Sequence, residues 1–88
     1  GGFGNELPKF SIPLNRLKEG IPAFQLFKES GLADSGSAAR RLIKSGGGKV
    51  NDSEIGDEMQ KVTELDLNNE GFIKLSAGKK RHILIHGM

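Results

Sequence analysis

Apolar residues recur along the chain at two spacings, and the change between them separates a helical half from a strand half. Between Ser35 and Ser45, Ala38, Ala39, Leu42 and Ile43 follow at three- and four-residue intervals, which lines one face of a helix. Ser37, Arg40, Arg41 and Lys44 occupy the other face. The spacing predicts a helix over Gly36 to Ser45, capped by Asp34 or Ser35 and ended by Gly46-Gly47-Gly48. An earlier helix is predicted from Pro22, a residue suited to a first helical position. Ala23, Phe24, Leu26 and Phe27 form its apolar face, Gln25, Lys28 and Glu29 point outward, Gly31 closes it and Leu32 packs just beyond. Two short helices joined by a tight turn make a helix-turn-helix-like pair.

Past the glycines the period falls toward two. Lys49-Val50-Asn51 and Glu54-Ile55 read as a small hairpin turning at Asn51-Asp52-Ser53. Phe72 to Ser76 and Arg81 to His86 read as a clearer pair, with Ile73 and Leu75 on one face and Ile83 and Ile85 on one face. Ala77-Gly78-Lys79-Lys80 bridges them. In the segment between, Val62, Leu65 and Leu67 are the expected core contacts. Upstream, Leu14 and Leu17 belong to a turn of helix broken by Gly20. Gly1 to Ser11 is polar and glycine-rich with Pro8, and reads as linker. The expected division is a linker and lead-in over 1–19 and a folded domain over 20–88. The fold class is α+β: the helix pair packed on a small, mostly antiparallel sheet.

Composition narrows the possibilities. A chain of 88 residues without cysteine is one small domain with neither disulfides nor a thiolate metal site, and buries only about 60–65% of its unfolded surface. No apolar run approaches the roughly 20 residues of a membrane-spanning helix. A first residue that is not methionine, and the Gly1-Gly2 start, suggest a piece excised from a longer protein.

The net charge of +2 is small, but its distribution is not even. From Gly36 to Asn51 stand Arg40, Arg41, Lys44 and Lys49 with no acid. From Asp52 to Gly71 seven acids face a lone Lys61. From Phe72 to the end stand Lys74, Lys79, Lys80 and Arg81, again with no acid. Two basic blocks flanking an acidic one suggest a polarised surface with one face for a polyanion; solvated surface charge of both signs gives the same string. The residues that would make the polyanion site are Arg40, Arg41, Lys44 and Lys49, with Ser37 and Asn51 as hydrogen-bond donors to phosphate or ribose, and Lys79, Lys80 and Arg81 at the second point. Lysines at a hairpin tip also protect sheet edges. Phe24, Phe27 and Phe72 are either stacking platforms for bases or core, and core is the expectation.

Catalytic and cofactor chemistry find no support. His82 and His86 lie on one side of a strand without the further ligands that zinc requires. Gly46-Gly47-Gly48-Lys49 follows a helix instead of opening one, and Val50 stands where a phosphate loop needs Ser or Thr. No nucleophile has a base beside it, and no paired carboxylates occupy an apolar setting.

The stretch S-x-S-x-A-R-R-L-I-K-x-G-G-x-x-V-N, from Ser35 to Asn51, resembles the core of the RNA-binding module of ribosomal protein S-four type, the alpha-L RNA-binding motif. The version at the carboxyl end of bacterial and mitochondrial tyrosyl-tRNA synthetases is most similar. I-P-A-F-Q-L-F-K-E-S-G-L-A (Ile21 to Ala33) and F-I-K-L-S-A-G-K-K-R-H (Phe72 to His82) extend the likeness. Two positions depart from the pattern: Ala38 stands where the module often has an acid, and Asp52 where it usually has glycine. The resemblance implies that Ser35, Arg40, Arg41, Lys44 and Lys49 face RNA, and it is the resemblance that selects RNA over DNA. It further implies a cytoplasmic, homodimeric parent that uses ATP in a separate catalytic domain to charge tyrosine-specific tRNA, held here by its anticodon stem and variable arm. No cofactor, metal, DNA or membrane is expected for this segment. The same module in a pseudouridine synthase or ribosome-associated factor, or a protein-docking module working through Asp52 to Glu70, are the alternatives.

Overall fold

A computed structural model describes residues 7–88, so residues 1–6 of the expected linker lie outside the described residues. Strands β1 (Lys9–Ile12), β2 (Ile21–Pro22), β3 (Gly48–Val50), β4 (Ser53–Glu54), β5 (Lys61–Val62), β6 (Phe72–Ala77) and β7 (Arg81–Gly87) accompany helices α1 (Leu14–Glu19), α2 (Ala23–Glu29) and α3 (Gly36–Lys44). Five strands form one sheet in the order β1-β7-β6-β3-β4, while β2 and β5 pair separately. All neighbours run antiparallel except β1 and β7. This is the expected α+β arrangement.

The period-two reading of β6 and β7 explains the core. Ile73 pairs with Ile85 and Leu75 with Ile83, and Val50 joins Leu75 from β3. These side chains share one buried cluster with Ala23, Leu26 and Phe27 of α2 and with Ala39 and Ile43 of α3. The helices therefore cover one face of the sheet. Ser35 caps α3 by accepting a hydrogen bond from the Ala38 N–H at 3.0 Å, and Pro22 precedes α2 as its cap, one position earlier than expected.

Several stretches differ from the sequence reading. Lys9, Phe10 and Ser11 were expected in the linker and Ile12 in the lead-in, yet Lys9–Ile12 pairs with the far end of the chain. Pro8 lacks a donor but keeps its acceptor, and its carbonyl receives the Leu84 N–H at 2.9 Å, which opens the strand. Ile12 and Leu17 are fully buried, so the lead-in packs on the same core. Leu65, expected in the core, is 89% exposed. The cause is a capping box: Thr63 and Asp66 close a 3-10 turn over Glu64–Asp66, and the tight turn throws Leu65 outward while Val62 and Leu67 pack as expected.

Glu29 is not simply solvated. Arg16 of α1 grips it with two hydrogen bonds of 2.6 and 2.8 Å, and Gln25 adds a third at 2.8 Å. The guanidinium bonds, opposed by partial burial, lower the Glu29 pKa from 4.5 to about 2. A carboxylate with a depressed folded-state pKa stabilises the fold above its unfolded pKa and loses that contribution as pH falls toward the folded one. The pair is partly exposed, at 38% and 27%, so screening limits its worth to about 1 kcal/mol. Glu29→Gln is expected to cost about that much at neutral pH, and the gap from the unsubstituted chain should close between pH 4.5 and about 2. Urea unfolding across that range checks both statements.

The β3–β4 turn makes a second test. Asn51 and Asp52 both adopt positive φ, 50° and 69°, the signature of a type I′ hairpin turn. A side chain at such a φ is strained, and glycine is not. Asp52→Gly should raise stability by about 0.5–1 kcal/mol. The ion pair it forfeits, Lys74 to Asp52 at 3.1 Å, has a carboxylate 74% exposed and is worth little. Thermal unfolding of the two proteins measures the difference.

Candidate nucleic-acid interface

Helix α3 presents Ser37, Arg40, Arg41 and Lys44 to solvent while Ala39 and Ile43 anchor its other side. Arg41 and Lys44 lie in its last turn, where cations complement the partial negative charge of a helix C-terminus. The Arg40 guanidinium stacks over the Phe24 ring at 4.2 Å. The aromatic ring thus helps to hold the guanidinium of an otherwise exposed residue. Phe24 is half-buried beside the core, so it serves both packing and arginine placement. Phe27 is entirely core.

The glycine run ends α3 as expected. Gly46 takes φ +85°, and a β-carbon at Gly47 would stand 2.8 Å from a Leu42 methyl. Close approach at Gly47 has a consequence beyond the helix. The Gly78 N–H, in the β6–β7 turn, donates to the Gly47 carbonyl at 2.8 Å. The bond brings the end of the first basic block against the tip of the second, where Lys79, Lys80 and Arg81 are all exposed.

His82 shapes that tip. Its Nε2 lies 3.1 Å from the Lys79 carbonyl and its Nδ1 2.8 Å from the Ser76 hydroxyl. The carbonyl requires a donor, and the hydroxyl can donate or accept. Ser76 is only 1% exposed.

Lys49 belongs with the tip and not with the helix face. By register it stands across from Ser76 on β6 and Glu54 on β4, on the side of the sheet away from the helices. Asn51, expected to meet phosphate or ribose, is committed internally. Its Nδ2 donates to the Asp66 carbonyl at 2.7 Å and its Oδ1 accepts the Lys74 N–H at 3.0 Å. It acts as a clamp on the sheet. Ser35 likewise spends its oxygen on the α3 cap. Among the described residues, Arg40, Arg41, Lys49, Lys79, Lys80 and Arg81 form no ion pair, and Lys44 has one long contact of 3.8 Å to Glu58. Phe24, Ser76 and His82 escaped the sequence reading as supports of the site. The only signals for them were an aromatic on a helix and a His six residues after a Ser, neither of which specifies a contact.

Among the described residues, no group of three or more His, Asp or Glu is arranged to hold a metal ion, and no helix is long and apolar enough to cross a membrane. No family model matches the chain. It is 53% identical over 79 residues to the tyrosine–tRNA ligase of Gluconobacter oxydans (strain 621H), covering 90% of this chain and 19% of that protein. The tyrosine–tRNA ligase of Bartonella henselae is 49% identical over 83 residues, covering 94% of this chain and 20% of its own length. That of Rhodopseudomonas palustris is 45% identical over 86 residues, covering 97% and 21%. The chain is homologous to a region of tyrosine–tRNA ligases. It spans about one fifth of their length.

The tip geometry predicts a measurable local effect. His82→Ala removes both imidazole bonds and leaves the Ser76 hydroxyl buried without its partner, at a cost of about 1–3 kcal/mol. Amide exchange at Gly78 and Lys79 should accelerate more than exchange in α2. Equal acceleration throughout would mean that His82 serves the fold as a whole and not the tip.

Proposed function

We propose that this chain is the carboxyl-terminal tRNA-recognition domain of a tyrosine–tRNA ligase, and that it holds tRNA(Tyr) by the anticodon stem and long variable arm. The observation that carries the reading is the Gly78 to Gly47 hydrogen bond of 2.8 Å. It draws the C-terminal end of α3 against the tip of the second basic block, two segments that are separate in sequence, while Lys49 turns to the outer face of the sheet. The similarity to tyrosine–tRNA ligases favours this parent over a pseudouridine synthase or a ribosome-associated factor. In this reading the parent is a homodimer that activates tyrosine with ATP in a domain outside this chain, and the segment contributes affinity and placement.

The chemistry suits a duplex backbone. A-form RNA hides its major-groove base edges, so contacts to phosphate and ribose along the shallow groove dominate. Arg40 and Arg41 offer planar forks that hold phosphate through two hydrogen bonds each. Lys79, Lys80 and Arg81 add cations at a second point, so that the surface fixes an orientation as well as a charge.

Arg40→Ala combined with Arg41→Ala should weaken binding of a tRNA with a long variable arm by about ten-fold or more. It should also flatten the slope of log affinity against log salt by roughly one per lost phosphate contact. Filter binding of the chain at several salt concentrations reads both. In the full-length ligase the same pair should depress tRNA charging while leaving tyrosyl-adenylate formation intact. Unchanged affinity and slope, or equal loss of both activities, would reject the reading.

A further inference from the structure

The sheet has a second face, turned away from the helices, and its composition is not that of an idle surface. By register it carries Lys9 and Ser11 of β1, His82, Leu84 and His86 of β7, and Phe72, Lys74 and Ser76 of β6, with Lys49 beyond. Strands β1, β3, β6 and β7 contain no acidic residue, while Glu54 of β4 stands across from Lys49 at the far edge of the same face. Phe72 stands outside the hydrophobic core cluster and is half-buried. Its ring stacks on His86, with centroids 4.9 Å apart and an interplanar angle of 28°. The Lys9 ammonium lies 5.9 Å from the Phe72 centroid. Between Lys9 and Lys74 the outward Leu84 is only 2% exposed, an apolar floor under two lysine stems, of which Lys74 is paired with Asp52 and Lys9 forms no ion pair among the described residues.

An aromatic pair on an apolar floor, ringed by lysines and free of acids on its own strands, matches the chemistry of an unpaired nucleotide. The ring faces accept a base by stacking and the lysines take the flanking phosphates. A helical RNA face cannot use such a platform, because its bases are already stacked and paired. We propose that this outer sheet face is a second RNA contact, which takes a single-stranded nucleotide of the RNA whose duplex portion docks on α3 and the hairpin tip. Phe72 and His86 stack the base, and Lys9, whose ammonium lies over the Phe72 ring, neutralises a flanking phosphate. The inference rests on the RNA-binding reading above and adds to it a second class of RNA element, unpaired where the first is helical.

The test uses the whole chain with two probes, a short oligouridylate that forms no duplex and a tRNA with a long variable arm. Amide shift mapping with the oligouridylate should centre on Lys9, Phe72, Lys74 and His86, and it should persist in the Arg40→Ala, Arg41→Ala protein. Phe72→Leu keeps apolar bulk but loses the aromatic face, and should weaken oligouridylate binding by about ten-fold. His86→Ala reports the same loss from the other ring, should Phe72→Leu disturb folding. Oligouridylate shifts confined to α3 and the hairpin tip, with normal tRNA binding, would overturn this inference and leave the function standing. Loss of binding to both probes would overturn the two together. Shifts on the outer face of the free chain that grow with its own concentration would assign the face to self-association and reject the nucleotide.

Discussion

Everything in this molecule hangs on the register of the β6–β7 ladder. Because side chains alternate across a sheet, a slip of one residue would exchange its two faces. Ile73, Leu75, Ile83 and Ile85 would leave the core, and Phe72, Lys74, His82 and His86 would be driven into it. The same register sets the length of the turn, so it decides where the Gly78 N–H points. That donor meets the Gly47 carbonyl, and Gly47 is the link between α3 and β3. The core and the proposed interface thus share one constraint.

Hydrophobic burial supplies the stability that this constraint organises, and polar contacts refine it. The fully buried residues include Phe27, Leu17, Leu26, Ile73, Leu75 and Ile85. A domain of this size has few such side chains, and truncating a single buried leucine or phenylalanine typically costs about 2–5 kcal/mol. Exposed ion pairs operate on a smaller scale, typically below about 1 kcal/mol. This ordering explains the placement of Arg16 and Glu29. Their grip joins α1 to α2 without any charge being taken deep into the interior, where desolvation would offset the attraction.

The legibility of the fold in the sequence followed the range of the interactions. Helix α3, its Ser35 cap and the β6–β7 hairpin were readable because each depends on neighbours a few residues away. The outline of an alternating strand was present at Lys9-Phe10-Ser11-Ile12 too. What hid it was Pro8, taken as a breaker, and a parallel partner at the opposite end of the chain. Leu65 was misread although its cause is local: Thr63-Glu64-Leu65-Asp66 carries a capping box in the sequence itself, and the spacing of Leu65 and Leu67 imitated a strand. For the site, the cationic residues were visible and their grouping was not. Sequence order put Lys49 with α3, whereas the pleat of β3 sends it to the opposite face. Asn51 looked available because nothing local reveals a side chain spent on Asp66 and Lys74.

The acidic segment is the reason a chain with a net charge of only +2 can present a strongly basic surface. Three of its carboxylates are engaged close by. Asp57 accepts the Met59 N–H at 2.8 Å, and Asp66 accepts the Thr63 N–H at 2.9 Å. Asp52 meets Lys74. In the proposed interface, charges tied into turns and to other partners would not compete with phosphate for Arg40, Arg41 or the hairpin tip. Lys44 is the exception, since Glu58 lies 3.8 Å from its ammonium. In the proposed interface a phosphate would displace that long contact before Lys44 counted toward binding. The two arginines, one already oriented by Phe24, therefore dominate the helix face, with Lys44 making the smaller contribution.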